Sequence, residues 1–183
     1  MAQTMNFAVV IPARFESSRF PGKPLVDLCG KPMIQHVWER CCKAVGHDKV
    51  YVATDSKRIK KVVLDFGGQV VMTSSDCLTG TDRLAKANAK LDFDFVINVQ
   101  GDEPLIKPDH IKKVISAFLT TGNVINAMCP IQSEAEFRSP NVPKVATSEG
   151  RKLLYISRAG IPQTKKGKYV FGYKQVCIYA FSK

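Results

Sequence analysis

Short apolar runs alternate with amphipathic stretches over the first 129 residues of the chain. The runs have the length of buried strands, and the predicted strands are 7–11, 50–53, 70–72, 95–99 and 124–128. Between them, apolar residues recur three and four positions apart, which is the spacing of one helix face. The predicted helices run from Pro32 to Val45, from Asp55 or Ser56 to Phe66, from about Thr81 to Leu91 and from Pro108 to Leu119. This alternation predicts βαβ crossovers and a largely parallel sheet with helices on both faces.

The pattern changes after residue 130. Residues 142–148, 153–157 and 175–181 have the composition of strands but no predicted helices between them, and Glu149-Gly150 is typical of a hairpin turn. We therefore expect one domain over residues 1–183, with an α/β core over about 1–129 and an antiparallel extension over about 130–183. The sheet as a whole would be mixed.

Composition excludes several classes of protein. The 183 residues are 45% hydrophobic and 23% charged, which is ordinary for a globular domain and excludes disordered, collagenous and coiled-coil chains. No apolar run approaches the roughly 20 residues of a membrane span, and no signal peptide is expected at the N-terminus. The six cysteines form no Cys-x-x-Cys pair, so we expect reduced thiols in a cytoplasmic protein. Cys41, Cys42, Cys129 and Cys177 lie in apolar stretches and are expected to pack in the core.

The net charge indicates an anionic ligand. Lys and Arg number 27 against 16 Asp and Glu, which gives +11 at pH 7. A positive protein attracts nucleic acid, an anionic membrane surface or a phosphorylated metabolite. The basic residues are scattered and no DNA- or RNA-binding motif is present, so a nucleic-acid-binding module is kept only as the non-enzyme alternative.

The segment after the first strand predicts a polyphosphate site. Three cations (Arg14, Arg19 and Lys23) lie within ten residues, and Ser17 and Gly22 allow backbone amides to approach an anion. The segment contains neither Gly-x-x-x-x-Gly-Lys-Ser/Thr nor Gly-x-Gly-x-x-Gly. A solvated basic loop is the alternative. Its place at the carboxyl end of a strand favours a site, because ligands of parallel sheets bind there.

The segments after two other strands add candidate residues. Asp102, with Glu103 as second choice, follows the fourth strand and would let Mg²⁺ bridge to phosphate oxygens; a metal-free turn is the alternative. After the third strand, Gly80-Thr81 opens a helix whose amides would accept an anion or a base edge, with Arg83 in the same cleft. The alternative there is an ordinary helix start with Thr81 as the N-cap.

Several motifs together resemble one family, the 3-deoxy-manno-octulosonate cytidylyltransferases or CMP-Kdo synthetases. The match extends over nearly the whole chain, and its motifs occur in the family's order and spacing. They are Ile11-Pro-Ala-Arg14-Phe-Glu-Ser-Ser-Arg19-Phe-Pro-Gly-Lys23-Pro-Leu25, Gly30-Lys-Pro-Met-Ile34, Val52-Ala-Thr-Asp55, Gly80-Thr-Asp-Arg83, Asn98-Val-Gln100-Gly-Asp102-Glu-Pro104, Asn141-Val-Pro-Lys144-Val145 and Tyr155-Ile-Ser157-Arg158-Ala159.

The resemblance implies a Rossmann-like nucleotidyltransferase that joins CTP to an acidic 3-deoxy sugar and releases pyrophosphate. It implies Mg²⁺ as cofactor, a cytoplasmic homodimer, no nucleic-acid or membrane partner, and a place in lipopolysaccharide precursor synthesis. The catalytic residues it implies are Arg14, Arg19, Lys23 and Asp102, with Asp102 as the metal ligand. The nucleotide-binding residues it implies are Ala13, Arg14, Ser17, Arg19, Lys23, Thr81, Arg83 and Gln100. The sugar-binding residues it implies are Gln100, Arg158 and Gln175.

Three departures from the family pattern keep alternatives open. Cys77 follows Asp76 where the family usually has histidine, and the late strand reads Gln175-Val-Cys-Ile-Tyr179 where a histidine near the sugar is typical. The sugar would then be 8-amino-Kdo or another ulosonic acid. The sequence ends at Lys183, before the family's last helices and late aspartate, so a truncated and inactive form is a further alternative. A transferase for a sugar phosphate or another nucleotide is the nearest rival enzyme.

Overall fold

The computed structural model describes residues 5–16 and 20–183, which form two compact units. The first unit is Met1–Ile125 with Ile178–Lys183, and the second is Asn126–Cys177. The strands are β1 Phe7–Pro12, β2 Asp27–Leu28, β3 Lys31–Pro32, β4 Val50–Thr54, β5 Gln69–Met72, β6 Phe95–Val99, β7 Ile125–Pro130, β8 Lys144–Thr147, β9 Leu153–Ser157 and β10 Tyr173–Ser182. The helices are α1 Met33–Val45, α2 Lys57–Asp65, α3 Gly80–Leu91, α4 Pro108–Thr121 and α5 Glu134–Arg138.

The first unit is built on four parallel strands in the order β5-β4-β1-β6. The last residues of β10, from Ile178 to Ser182, pair antiparallel with β6 and make this sheet mixed. Strands β1 and β6 lie side by side with Val10 opposite Asn98, so the segments that follow them leave the same edge of the sheet. The predicted parallel core is confirmed.

Helices cover both faces of this sheet, as the apolar periodicity predicted. On one face, α1 packs beside α4, and the Phe95 ring stacks on Phe7 and Phe118 at centroid distances of 5.0 and 4.4 Å. On the other face, α3 buries Leu84 and Ala87 in a cluster with residues of all four parallel strands. Cys41 and Cys42 belong to α1, and burial raises the pKa of the Cys42 thiol to about 11, as expected of packing residues.

The second unit contains further antiparallel pairings. Strands β8 and β9 form a hairpin around the predicted Glu149-Gly150 turn, where Arg151 adopts a positive φ of 60°. The first residues of β10 pair antiparallel with β8. Strand β7 was expected to continue the parallel sheet, but it pairs with β10 instead.

Helix α5 was not predicted; it lies between β7 and the first predicted strand of the antiparallel extension. Its start carries a recognisable signal, because the hydroxyl of Ser133 caps the amide of Glu136 and the Glu136 carboxylate accepts from the amide of Gln132. With only five residues, the helix shows too few turns for an apolar period. Phe137 is its buried anchor and packs on Tyr169 at 5.0 Å.

Asn98 gives a prediction about stability. It is fully buried in β6, and neither its amide nitrogen nor its oxygen has a hydrogen-bond partner among the described residues. Because an unsatisfied buried polar group costs about 1–3 kcal/mol, Asn98→Val should raise the free energy of unfolding by about 1 kcal/mol in urea melts.

Asn88 is the matched control for this substitution. It is also buried, but its amide donates to the carbonyl of Phe93 and accepts from the Phe93 amide at 3.0 and 3.1 Å. Asn88→Ala should therefore lower the unfolding free energy. A fall in stability for Asn98→Val would show that Asn98 is satisfied in solution.

Candidate functional site

The segment after β1 is shaped by a glycine and anchored to its neighbouring strand. The amide of Ala13 donates to the carbonyl of Ala53 at 2.9 Å, and the amide of Gly22 donates to the carbonyl of Phe15 at 2.7 Å. Gly22 has a φ of 73°, and a Cβ there would lie 3.3 Å from the Phe15 ring. Gly22 thus allows the turn that precedes Lys23 and sets the direction of the chain at Lys23. Ser17 and Arg19, both predicted phosphate-binding residues, lie outside the described residues.

Lys23 and Asp102 meet across the edge of the sheet. The Lys23 Nζ donates to the Asp102 Oδ2 at 2.6 Å, and the two side chains are 38% and 48% exposed. The cationic loop after β1 and the acidic turn after β6 therefore meet at this edge of the sheet. Because both side chains are partly exposed, each charge can turn towards a ligand.

Gly101 allows this approach. A Cβ at Gly101 would lie 3.0 Å from the Pro12 carbonyl oxygen and 3.2 Å from Ile34 Cδ1, which is tighter than nine in ten real Cβ contacts. A side chain there would require Pro12 or Ile34 to shift, so glycine lets the turn after β6 lie directly against the end of β1. The position of Asp102 next to Lys23 thus depends on the missing side chain one residue before it.

The N-terminus of α3 lies beside Gln100. A Cβ at Gly80 would be 3.2 Å from Gln100 Nε2 and 3.3 Å from Pro12 Cγ, so the helix start, Gln100 and the end of β1 are in close contact. The N-cap is Thr79 and not Thr81, because the Thr79 hydroxyl and the Asp82 carboxylate form a capping box. The amides of Gly80 and Thr81 take no part in the box, which leaves them available to an anion or a base.

Arg83 is a fixed cation. It is only 3% exposed, and its guanidinium donates to the Asp55 carboxylate at 2.8 Å and to the Thr73 hydroxyl at 2.6 Å. Its ion-pair partner belongs to the Val52–Asp55 motif. Helix α3 is thereby joined to the residues that directly follow the neighbouring strands β4 and β5.

Arg83 and Arg14 line one cavity of about 470 Å³. Its walls also include Glu16 and the buried thiol of Cys77, and the remaining lining residues are Phe15, Asp55, Ser56, Lys57, Arg58 and Ser75. Four cationic side chains face two acidic ones there, which leaves the lining with a net positive charge. Such a cavity suits an anionic ligand whose uncharged part is planar or polar.

Sequence reasoning missed Lys57 and Arg58. Both lie in the first turn of α2, which contains no acidic residue, and Arg58 stacks over the Phe15 ring at 5.1 Å. Cations are unfavourable next to the positive end of a helix dipole, so their presence there was a signal that the sequence offered.

The predicted sugar-binding residues Arg158 and Gln175 belong to the second unit. Arg158 Nη1 donates to the Pro140 carbonyl at 2.7 Å, and its side chain is exposed. Gln175 is half-buried, and its Nε2 donates to the Asn126 Oδ1 at 3.0 Å.

Asp102 is the candidate metal ligand. In the part of the chain that the structure describes, no three Asp, Glu, His or Cys side chains cluster as a metal site. Mg²⁺ needs only one or two protein carboxylates when phosphate oxygens and water complete its shell. A partly exposed carboxylate beside a cationic loop fits that requirement, with the nucleotide supplying the other oxygens.

No helix among the described residues is long and apolar enough to span a membrane.

This fold and site define an α/β enzyme that handles nucleotides. The protein-family model described as "Cytidylyltransferase" matches residues 8–183. Because this match covers nearly the whole chain, the chain belongs to the cytidylyltransferase family. The resemblance seen in its motifs and the predicted fold class are confirmed, and the chain is a nucleotidyltransferase.

Relatives and solved structures agree with this assignment. An 8-amino-3,8-dideoxy-manno-octulosonate cytidylyltransferase of Shewanella halifaxensis is 44% identical over 185 residues, covering 98% of this chain and 76% of the relative. A 3-deoxy-manno-octulosonate cytidylyltransferase 2 of Hydrogenovibrio crunogenus is 46% identical, covering 98% of this chain and 75% of the relative. The chain thus spans about three quarters of the length of these relatives.

A CMP:2-keto-3-deoxy-manno-octonic acid synthetase solved with CTP superposes with a TM-score of 0.88 at 41% identity, over 97% of this chain and 74% of that one. A cytidylyltransferase from Leptospira borgpetersenii shares the fold at a TM-score of 0.60 and 22% identity, over 67% of this chain and 53% of that one.

The contact at Gly101 gives a prediction about the site. Gly101→Ala should force the turn after β6 away from Pro12 and move Asp102 from Lys23, lowering the unfolding free energy by about 1–3 kcal/mol and reducing turnover. Gly150→Ala is the control, since a Cβ there meets nothing closer than Ser148 Oγ at 3.9 Å. Equal stability and turnover of both variants would contradict the packing argument.

Proposed function

We propose that this protein transfers the cytidylyl group of CTP to an acidic 3-deoxy-octulosonate sugar, giving a CMP-sugar and pyrophosphate. The observation that carries the proposal is the Lys23–Asp102 contact, which brings together a cation and a carboxylate from the segments that follow two neighbouring strands. The names of the relatives and the CTP complex of the similar structure support the choice of nucleotide and sugar class. The product belongs to lipopolysaccharide precursor synthesis.

The residues of the first unit take the nucleotide. Lys23, together with Arg14 and the loop positions Ser17 and Arg19, binds the triphosphate and neutralises the charge that develops on the departing pyrophosphate. The amides of Gly80 and Thr81 with Arg83 and Gln100 hold the nucleoside end beside Ala13, whose own amide is bound to Ala53, and Arg83 is already fixed by Asp55. Catalysis then comes mainly from orienting the two substrates, because the anomeric hydroxyl of the sugar must attack the α-phosphorus of CTP in line with the departing pyrophosphate.

Asp102 would hold Mg²⁺ together with phosphate oxygens. The ion, when bound, supplies Lewis-acid polarisation of the α-phosphate. Lys23 must then exchange its bond to Asp102 for one to phosphate, so binding of nucleotide and of ion should be mutually favourable.

Arg158 and Gln175 of the second unit take the sugar acid. The Arg158 guanidinium suits a carboxylate, since it presents its donors in a fixed fork. Gln175 occupies the position where the family typically has histidine. With the Shewanella relatives named for the 8-amino sugar, this favours 8-amino-Kdo as the second candidate acceptor beside Kdo.

Pyrophosphate release tests the function directly. The protein is incubated with Mg²⁺, each of the four nucleoside triphosphates, and either Kdo or 8-amino-Kdo. We expect release with CTP and one of these sugars; no CTP-dependent release with any ulosonic acid would contradict the proposal.

Two variants test the residues in the same assay. Lys23→Ala should weaken CTP binding, and Asp102→Asn should remove Mg²⁺-dependent turnover by about 100-fold or more while the fold is kept. Lys49→Ala is the control for the loss of a lysine charge. Lys49 is not among the proposed site residues, and its ammonium lies over the Phe7 ring. Wild-type turnover in Asp102→Asn would remove Asp102 from the metal site.

We also propose that two copies associate through β9. This strand ends the sheet order, and Leu153, Leu154, Tyr155 and Ile156 are all exposed on it. An apolar edge strand of this kind invites pairing with another chain. Light scattering at micromolar concentration should show a dimer that Leu154→Lys dissociates and that Leu78→Lys, exposed in the first unit, leaves intact. A monomeric wild type would contradict this surface.

A further inference from the structure

Lys144 is a buried cation that no part of the proposed reaction uses. It begins β8, is fully buried, and its ammonium donates to the carbonyls of Ser139, Val142 and Arg158 at 2.6, 2.8 and 3.0 Å. An ammonium has three donors, so its hydrogen-bonding capacity is filled. Among the described residues it forms no ion pair, although a buried charge is normally paired with an acid.

The three carbonyls belong to two separate segments. Ser139 and Val142 lie in the turn between α5 and β8, and Arg158 directly follows β9. The first segment carries the Asn141–Val145 motif and the second carries the Tyr155–Ala159 motif. The Lys144 ammonium therefore joins these two sequence motifs in space.

Arg158 is fixed at both its ends by this arrangement. Its carbonyl accepts from Lys144, and its Nη1 donates to the Pro140 carbonyl in the same turn that Lys144 holds. The chain after it is also constrained, because a Cβ at Gly160 would lie 2.6 Å from the Phe137 ring. The other guanidinium N–H groups of Arg158 form no hydrogen bond with a described residue, and its side chain is exposed.

A filled ammonium suits this task better than an acid or an amide. The two segments offer only carbonyl oxygens at this point, so an acceptor would find no donor there, and a glutamine amide has one donor too few. Burial, followed by the nearby Arg158 charge, lowers the pKa of the Lys144 ammonium, which agrees with an environment that holds it by geometry and not by a counter-ion.

We propose that Lys144 is a positioning residue that sets Arg158 to receive the carboxylate of the sugar acceptor. This inference rests on the proposed function and adds to it a residue that does not touch either substrate. Without the Lys144 ammonium, the turn would lose its bridge to the Arg158 carbonyl beyond the end of the β8–β9 ladder, and the guanidinium would be held less firmly at one place.

Steady-state kinetics of Lys144→Met test the inference. Met keeps the length of the side chain and removes the three donors. We expect the KM for the sugar to rise about 10- to 100-fold, since misplacement of a binding group by about 1 Å has effects of that size, while the KM for CTP changes less than about twofold. Lys152→Met, an exposed lysine of the same hairpin, is the control and should leave both constants unchanged.

A double-mutant cycle separates positioning from general stability. Arg158→Ala alone should raise the KM for the sugar, and Lys144→Met should add little in the Arg158→Ala background, because the two act on one interaction. Full additivity, or an unchanged sugar KM in Lys144→Met, would overturn the proposal.

Lys144→Gln covers the case in which Lys144→Met does not fold. It retains two donors and should give an intermediate sugar KM; a wild-type value would equally overturn the proposal. The proposed function fails in a different way, by absence of CTP-dependent pyrophosphate release from the wild-type protein with any ulosonic acid.

Discussion

The ion pair between Lys23 and Asp102 is the contact on which the functional account depends. It joins segments 79 residues apart, and it exists because β1 and β6 are neighbours whose carboxyl ends leave the sheet at the same edge. Two glycines make the contact possible: Gly22 closes the loop that carries Lys23, and Gly101 lets the turn that carries Asp102 lie against Pro12. Lys23 and Asp102 neutralise each other in this structure. A triphosphate would pair with Lys23 and its metal ion with Asp102, and their binding would separate the two side chains.

The charges around this pair differ in how firmly they are held. Arg83 is buried and fixed by Asp55 and Thr73, so it offers a charge at a set position. Lys23 and Asp102 are partly exposed, and among the described residues their charged groups are bound only to each other, so each can rearrange around a ligand. A site with both kinds of charge can fix the nucleoside end of a nucleotide while the phosphate end adjusts. This is what positioning of an α-phosphorus requires.

The parallel core and the location of the site could be predicted because both depend on local signals. Apolar period identified β1, β4, β5, β6 and four helices, and the rule that ligands lie beyond the carboxyl ends of strands led to Lys23 and Asp102. The errors have physical causes. Helix α5 is too short to show a period, although Ser133 and Glu136 marked its start, and the pairing of β7 with β10 is set by tertiary contacts.

Long-range polar contacts were the part that the sequence could not reveal. The missed N-cap at Thr79 was an error of another kind, because Asp82 three residues later gives the local spacing of a capping box, which Thr81 lacks. Lys144 looked like one lysine among many, because its three acceptors are main-chain carbonyls that leave no trace in the sequence. Lys57 and Arg58 left a local signal as cations in the first turn of a helix, but only the packing of α2 beside the loop after β1 makes them part of a cavity wall.

A crystal structure of the protein with CTP and Mg²⁺ tests the central claim most directly. The account predicts the Lys23 ammonium within hydrogen-bond distance of a phosphate oxygen, the ion bound to the Asp102 carboxylate, and the direct bond between the two side chains replaced. A triphosphate bound elsewhere on the molecule, with the 2.6 Å contact of Lys23 and Asp102 intact, would contradict it.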